Sequence, residues 1–388
     1  MDHSTALLGP ASSVSGFTAP GYEGVREAFE ANMSIGEEFG GALAVHRYGV
    51  PVVDLTGGVQ DSTGTPYRED ALHVGYSVTK GVVGLVLAEL VHNGELDIEA
   101  PVAAYWPEFA AGGKAGITVA ELSSHQAGLT AFAEPINAAD LVNWDECVRR
   151  LAAQSPAWPL GTGHGYHALT FGYLVGEVIR RATGRTVGQL LRDRFDPKGD
   201  LQAWIGLPAE HSSRVVLYRK AEPTPGVGAL AQAHASTVGT HTYNTFHNPE
   251  ITVSTFNDPD IWAAEVPGGN GIFDARSLSR LYSSVVDGPL RSISSATVDE
   301  FRRQRVNGAD FVLTDQPTRF GTVFALSSPR QPMLGPGSMG HDGMGGHAAF
   351  AHPESGITFA YLSTRAIADP MPHPRLWRLI SAVEAAIR

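Results

Sequence analysis

Ser77 and Lys80 stand three residues apart in GYSVTKGVVGLVLAEL, a run whose only charged group before Glu89 is that lysine. On a helix, positions i and i+3 share one face, so the hydroxyl and the amine can meet directly. A free serine is a poor nucleophile and needs a neighbouring base. A lysine buried among apolar residues loses the hydration of its charged form, its pKa falls, and a neutral amine becomes available to accept a proton. A serine at a helix amino terminus also lies beside exposed N–H groups that can stabilise a developing oxyanion. The competing reading is structural: Ser77 as an N-cap and Lys80 reaching to solvent along its stem. Two facts weigh against that. The chain has four lysines, at 80, 114, 198 and 220, and only Lys80 has a serine three residues before it.

Other chemistry-bearing residues are less pointed. Tyr166 precedes an apolar periodic segment and reads by itself as a core aromatic. His341 is followed by Gly343, Gly345 and Gly346, which fits a tight bend or a strand that a substrate approaches closely. His164 and His167 have helical ligand spacing, but no carboxylate or cysteine accompanies them, so no metal is expected. His234, His241 and His247 carry no recognisable spacing, and Trp106 and Trp158 read as packing residues. The single cysteine, Cys147, excludes an intrachain disulfide and reads as a packing residue. No G-x-S-x-G elbow occurs, which disfavours an α/β-hydrolase.

The elements that must position these residues follow from periodicity and breakers. A buried helix should start near Ser77 and stop at Asn93-Gly94. Further helices are expected over 24–33, 117–122, 169–182 and 375–387. Strands are expected over 42–46, 51–56, 319–326, 348–352 and 357–363, the first two and last two as hairpins. Residues 195–270, dense in Pro, Gly, His and Thr, read as long loops with short helices. Strands at both ends of the chain with helices between them define an α+β protein split by a mainly helical insertion. The expected division is 20–105 with 300–388 as one discontinuous sheet domain, 106–299 as the helical insertion, and 1–19 as an arm.

Composition bounds the partners. With 388 residues, 43% hydrophobic and 18% charged, the chain has ample material for a core. The net charge of −12, with basic residues scattered, offers no basic face for nucleic acid or an anionic membrane. No segment approaches a membrane span, and the first residues lack the pattern of a secretory signal, so a cytoplasmic protein is expected.

As a constellation these residues resemble the serine β-lactamase and penicillin-binding-protein superfamily, nearest to class C β-lactamases and family VIII carboxylesterases. Three elements line up in order: Ser77-Val78-Thr79-Lys80; Tyr166 in PLGTGHGYHALTFGYLVGEVIRR, at the place of Y-x-N; and His341-Asp342-Gly343 in GHDGMGGHAAFAHPE, at the place of K-T-G. GELDIEAPVAAYWPEF, ITVAELSSHQAGL and the Gly268-Gly269-Asn270-Gly271 turn also look familial, so the resemblance covers roughly residues 25–385. It implies a β-lactamase-like fold with an antiparallel sheet flanked by helices, and no cofactor. It further implies Ser77 as nucleophile, with Lys80 and Tyr166 sharing the proton transfers. Tyr166 can act as a base only if a nearby positive charge, that of Lys80, lowers its pKa. The N–H groups of Ser77 and Met344 would form an oxyanion hole, while His341 and Gly343 would sit on the strand that faces the substrate.

Two departures point away from β-lactams. Ala168 replaces the Asn that binds the substrate amide, and His341, mostly neutral at pH 7, replaces the Lys that recognises a carboxylate. The expected activity is hydrolysis of small carboxylic esters. The alternatives are amide, β-lactam or D-aminoacyl-peptide hydrolysis, acyl transfer, or a binding module that keeps the fold without the chemistry.

Overall fold

The computed structural model describes residues 14–36, 38–220, 237–250, 252, 255–314, 316–366 and 373–388. Its main sheet has nine antiparallel strands: β1 (Ser15–Thr18), β2 (Gly40–Arg47), β3 (Val50–Gly58), β4 (Val306–Gly308), β5 (Thr318–Phe320), β6 (Ala325–Leu326), β7 (Met339–Gly343), β8 (His347–His352) and β9 (Ile357–Ser363). Their spatial order is β1-β3-β2-β9-β8-β7-β6-β5-β4, so the two ends of the chain meet where β2 pairs with β9. β2 turns into β3 through Tyr48 and Gly49, both at positive φ, as a two-residue hairpin requires.

Side-chain size alternates across the sheet. Leu43, Val45, Phe350, Phe359 and Tyr361 face Phe29 and Met33 of helix α1 (Glu23–Ser34) and Leu376, Leu379 and Val383 of the C-terminal helix. On the other face stand Ala42, Ala44, Ala349, Ala351 and Ala360, small enough for helices to lie close. Helix α2 (Val78–His92) packs there against β7 and β8. A second helix, Ala275–Tyr282, packs there against β2 and β9. Contact between these two helices is close: a Cβ on Gly81 would stand 2.0 Å from Tyr282 Oη.

Every apolar residue of α2 from Val78 to Leu90 is buried, and Val91 beyond them is half-buried. Val82, Val83, Leu85, Val86, Leu87 and Leu90 are fully enclosed. At roughly 1.5–3 kcal/mol each, their burial outweighs the few kcal/mol that enclosing one neutral amine costs. The helix therefore holds Lys80 inside instead of releasing it to solvent. It ends at Asn93 and Gly94, the latter left-handed, as its sequence predicts.

The structure corrects several expectations. The arm expected over 1–19 lies outside the described residues as far as 13; its remainder is not free but forms edge strand β1 along β3. The helix expected over 117–122 begins at Val119, because Thr118 and Glu121 form a reciprocal capping box. The strand expected over 319–326 is two strands, β5 and β6. The chain doubles back at Gly321–Phe324, where Gly321 N–H bonds Phe324 O and Val323 takes a positive φ. In the loop-rich 195–270 region, 221–236, 251, 253 and 254 lie outside the described residues, as does His234.

Candidate active site

Ser77 occupies the turn between a short strand pair and α2. His73–Val74 pairs with Ile272–Phe273, and Gly75 N–H bonds Gly271 O at 2.7 Å, anchoring the turn from across the chain. Tyr76 then adopts φ 48°, a left-handed conformation costly for an aromatic residue. Ser77 is half-buried at the N-cap position, but its hydroxyl makes no cap bond. The structural reading of Ser77 as a capping residue is thereby set aside; the hydroxyl faces two other groups.

The first is Lys80. Its Nζ lies 3.1 Å from Ser77 Oγ and donates to Ala168 O (2.7 Å) and Gly268 O (2.6 Å). Among the described residues no carboxylate is bonded to it, and burial lowers its pKa to about 7, against a smaller upward pull from Asp342. A neutral amine has two N–H bonds and one lone pair. With both N–H groups taken by carbonyls, the lone pair is left facing Ser77 Oγ. Lys114 shows the contrast. It too is buried, but its Nζ is surrounded by the carbonyls of Ala111, Ala152 and Gln154 and meets no nucleophile.

The second is Tyr166, whose Oη donates to Ser77 Oγ at 2.6 Å. Burial pushes its phenol above the ordinary tyrosine range. The expected depression by a neighbouring ammonium is outweighed by this desolvation, and Lys80, itself lowered to about 7, is only about half charged at pH 7. Tyr166 is thus a neutral hydrogen-bond donor to Ser77 in this structure. Its loop is held from several sides. Asp310 Oδ1 accepts the Tyr166 N–H at 3.0 Å and also the N–H groups of Val312 and Leu313. His167 accepts from Leu129 N–H and donates to Gly165 O, while His164 meets Thr318 Oγ1 at 2.7 Å. These two histidines therefore build the loop, and among the described residues no group of three or more His, Cys, Asp or Glu is placed to hold a metal.

The third element is β7. A Cβ on Gly343 would stand 2.5 Å from Gly75 O, so the strand reaches the amino end of α2 only because residue 343 lacks a side chain. Met344 follows, partly exposed. Among the described residues, neither the Ser77 nor the Met344 N–H has an acceptor within the chain. His341 points to the same side, its ring 5.9 Å from that of Tyr166. Its Nδ1–H donates to Asp342 O at 2.7 Å, which leaves Nε2 as a buried acceptor without a partner. Burial lowers His341 to about 4, so it is neutral at pH 7.

The sequence motifs located Ser77, Lys80, Tyr166, His341, Gly343 and Met344, and the structure brings them together at the junction of sheet and helices. Asp310 and the carbonyls of Ala168 and Gly268 were missed. A lone aspartate in a loop and two backbone oxygens carry no pattern that sequence reading detects.

A buried lysine amine and a phenol converge on one serine oxygen, an arrangement suited to serine hydrolysis, and the fold around it is that of the β-lactamases. The family model described as "Beta-lactamase" matches residues 25–383. The esterase/beta-lactamase LipL of Mycobacterium tuberculosis is 33% identical over 367 residues, 91% of this chain and 83% of that protein. A family VIII carboxylesterase crystal structure superposes with a TM-score of 0.87 at 34% identity, over 96% of this chain and all (100%) of the other. A penicillin-binding protein homologue from Caulobacter crescentus gives 0.86 at 36% identity, with 96% and 100% covered. The chain belongs to the beta-lactamase family and is a serine hydrolase of the esterase/beta-lactamase type. No helix of the described residues is long and apolar enough to cross a membrane.

Proposed function

We propose that the protein hydrolyses small carboxylic esters through an acyl-enzyme on Ser77. The observation that carries this reading is the convergence of Lys80 Nζ (3.1 Å) and Tyr166 Oη (2.6 Å) on Ser77 Oγ. Ser77 Oγ attacks the ester carbonyl carbon and its proton passes to the neutral Lys80 amine. The carbonyl oxygen, now negative, accepts from the Ser77 and Met344 N–H groups. As the C–O bond breaks, the departing alkoxide takes the Tyr166 proton, which the Lys80 ammonium replaces. Water then attacks the acyl-enzyme with the same groups in reverse, and Ser77 regains its proton as the acid leaves. The net change is ester plus water to acid plus alcohol.

Two features favour esters over β-lactams. Ala168 offers a buried methyl where an amide-binding side chain would stand, and its carbonyl is already occupied by Lys80. His341 supplies no cation at pH 7 for a substrate carboxylate. The names of relatives agree, one being an esterase/beta-lactamase and another the esterase EstB of Burkholderia gladioli. The test is stopped-flow turnover of short-chain p-nitrophenyl esters beside nitrocefin and D-alanyl peptides. A stoichiometric burst with esters, absent in Ser77→Ala, supports the reading; preference for nitrocefin or the peptides overturns it.

A further inference from the structure

The two N–H groups assigned above to the oxyanion come from separate backbone turns, one at Tyr76-Ser77 and one at Gly343–Gly345. One side chain outside the motifs reaches both. Tyr218 Oη donates to Met344 O at 2.7 Å. Its ring packs on Tyr76, the residue before the nucleophile, with centroids 4.9 Å apart, and meets His347 at 5.1 Å.

The Met344 turn is shaped around this contact. A Cβ on Gly345 would stand 1.4 Å from Tyr218 Oη, and Gly345 is at φ 79°. The peptide that carries the Met344 N–H is closed by Gly346 N–H to Gly343 O at 3.1 Å. Tyr218 holds the next peptide through Met344 O, and Arg375 holds the one after through Gly345 O. Arg375 is itself fixed in the core by Glu38, 3.0 Å from its Nη1. Three successive carbonyls are thus taken, while the Met344 N–H stays open. A preorganised donor of this kind stabilises charge without reorganising during the reaction.

We propose that Tyr218 is a positioning residue of the oxyanion hole, joining the Tyr76 turn to the Met344 turn and setting the separation of the two N–H donors. This rests on the assignment of the Ser77 and Met344 N–H groups as that hole. Tyr218→Phe keeps the ring stack and removes only the bond to Met344 O. Its kcat/KM for an alkyl ester should fall about 10- to 100-fold, somewhat less than removal of a whole oxyanion donor. The loss should lie in kcat, with KM within about threefold, because the hole acts on charge that the ground state lacks.

The decisive readout is the rate ratio of an ester to its thionoester, whose sulfur is a poor acceptor for a hole built for oxygen. The wild type should favour the ester strongly, and Tyr218→Phe should lower the ratio by about its own loss in kcat/KM. Gly345→Ala perturbs the same contact from the other side and should lower it too. A wild-type ratio near that of the uncatalysed reaction defeats the hole assignment itself. A high wild-type ratio that survives in either folded variant, as judged by circular dichroism, overturns the role of Tyr218 alone.

Discussion

The acid limb of the pH–rate profile is where the burial of Lys80 becomes measurable. A lysine amine at its ordinary value of 10.5 is neutral to only ~0.03% at pH 7, whereas one lowered to about 7 is about half neutral. The kcat/KM profile reports the free enzyme, so it should rise with pH as one proton leaves Lys80, with its midpoint near 7. From its alkaline plateau the rate should fall on the order of 100-fold by about pH 5, one decade for each pH unit below the midpoint. Asp342 pulls the Lys80 value upward, so Asp342→Asn should move the midpoint to lower pH. The assay follows alcohol release from a neutral alkyl ester by chromatography, because p-nitrophenol absorbance titrates in the same range. A flat profile through neutrality, or a limb only where free lysine titrates, refutes the neutral-base account. A midpoint that rises in Asp342→Asn refutes the electrostatic part.

Tyr166→Phe should lower kcat by roughly 10²- to 10⁴-fold, the range for loss of a general acid, while keeping the acid limb, since the limb belongs to Lys80; a limb lost with the phenol would assign it to Tyr166. Asp310→Ala strands the buried N–H groups of Tyr166 and Val312 and the partly buried N–H of Leu313. At about 1 kcal/mol or more apiece, urea denaturation should show a loss of about 3 kcal/mol, with reduced kcat in the folded protein. Gly81→Ala forces a methyl against Tyr282 Oη and should destabilise by ~1–3 kcal/mol. That hydroxyl is buried without a partner, so Tyr282→Phe should be neutral or stabilising and should rescue Gly81→Ala in the double variant.

What was legible in the sequence was local. The spacing of Ser77 and Lys80, the apolar run after them and the Asn93-Gly94 stop are contained in about one helix, and the structure keeps all three. Tyr166 stands 89 residues from Ser77, so only its place in an ordered constellation marked it. Asp310 acts on Tyr166 across 144 residues and has no local signature at all. The single strand read over 319–326 fails because its apolar pattern continues through a reversal. That reversal is set by distant backbone: Thr322 N–H bonds Phe301 O and Val323 N–H bonds Ser123 O. The depressed tyrosine is a chemical inference that assumes a fully charged Lys80; burial lowers the lysine to about 7, leaving it about half charged at pH 7, and raises the phenol instead. Tyr218 could not be read as functional, since its hydroxyl meets a carbonyl 126 residues away.

In the proposed reaction the acyl group passes through Ser77 Oγ. Intact-mass spectrometry of protein quenched with acid during turnover of a short-chain ester, followed by peptide mapping, tests it most directly. A mass increase equal to one acyl group less one hydrogen should appear on the peptide containing Ser77 and be absent from Ser77→Ala, which should be inactive. Turnover by Ser77→Ala at the wild-type rate, or an acyl group mapped to another residue, would contradict it.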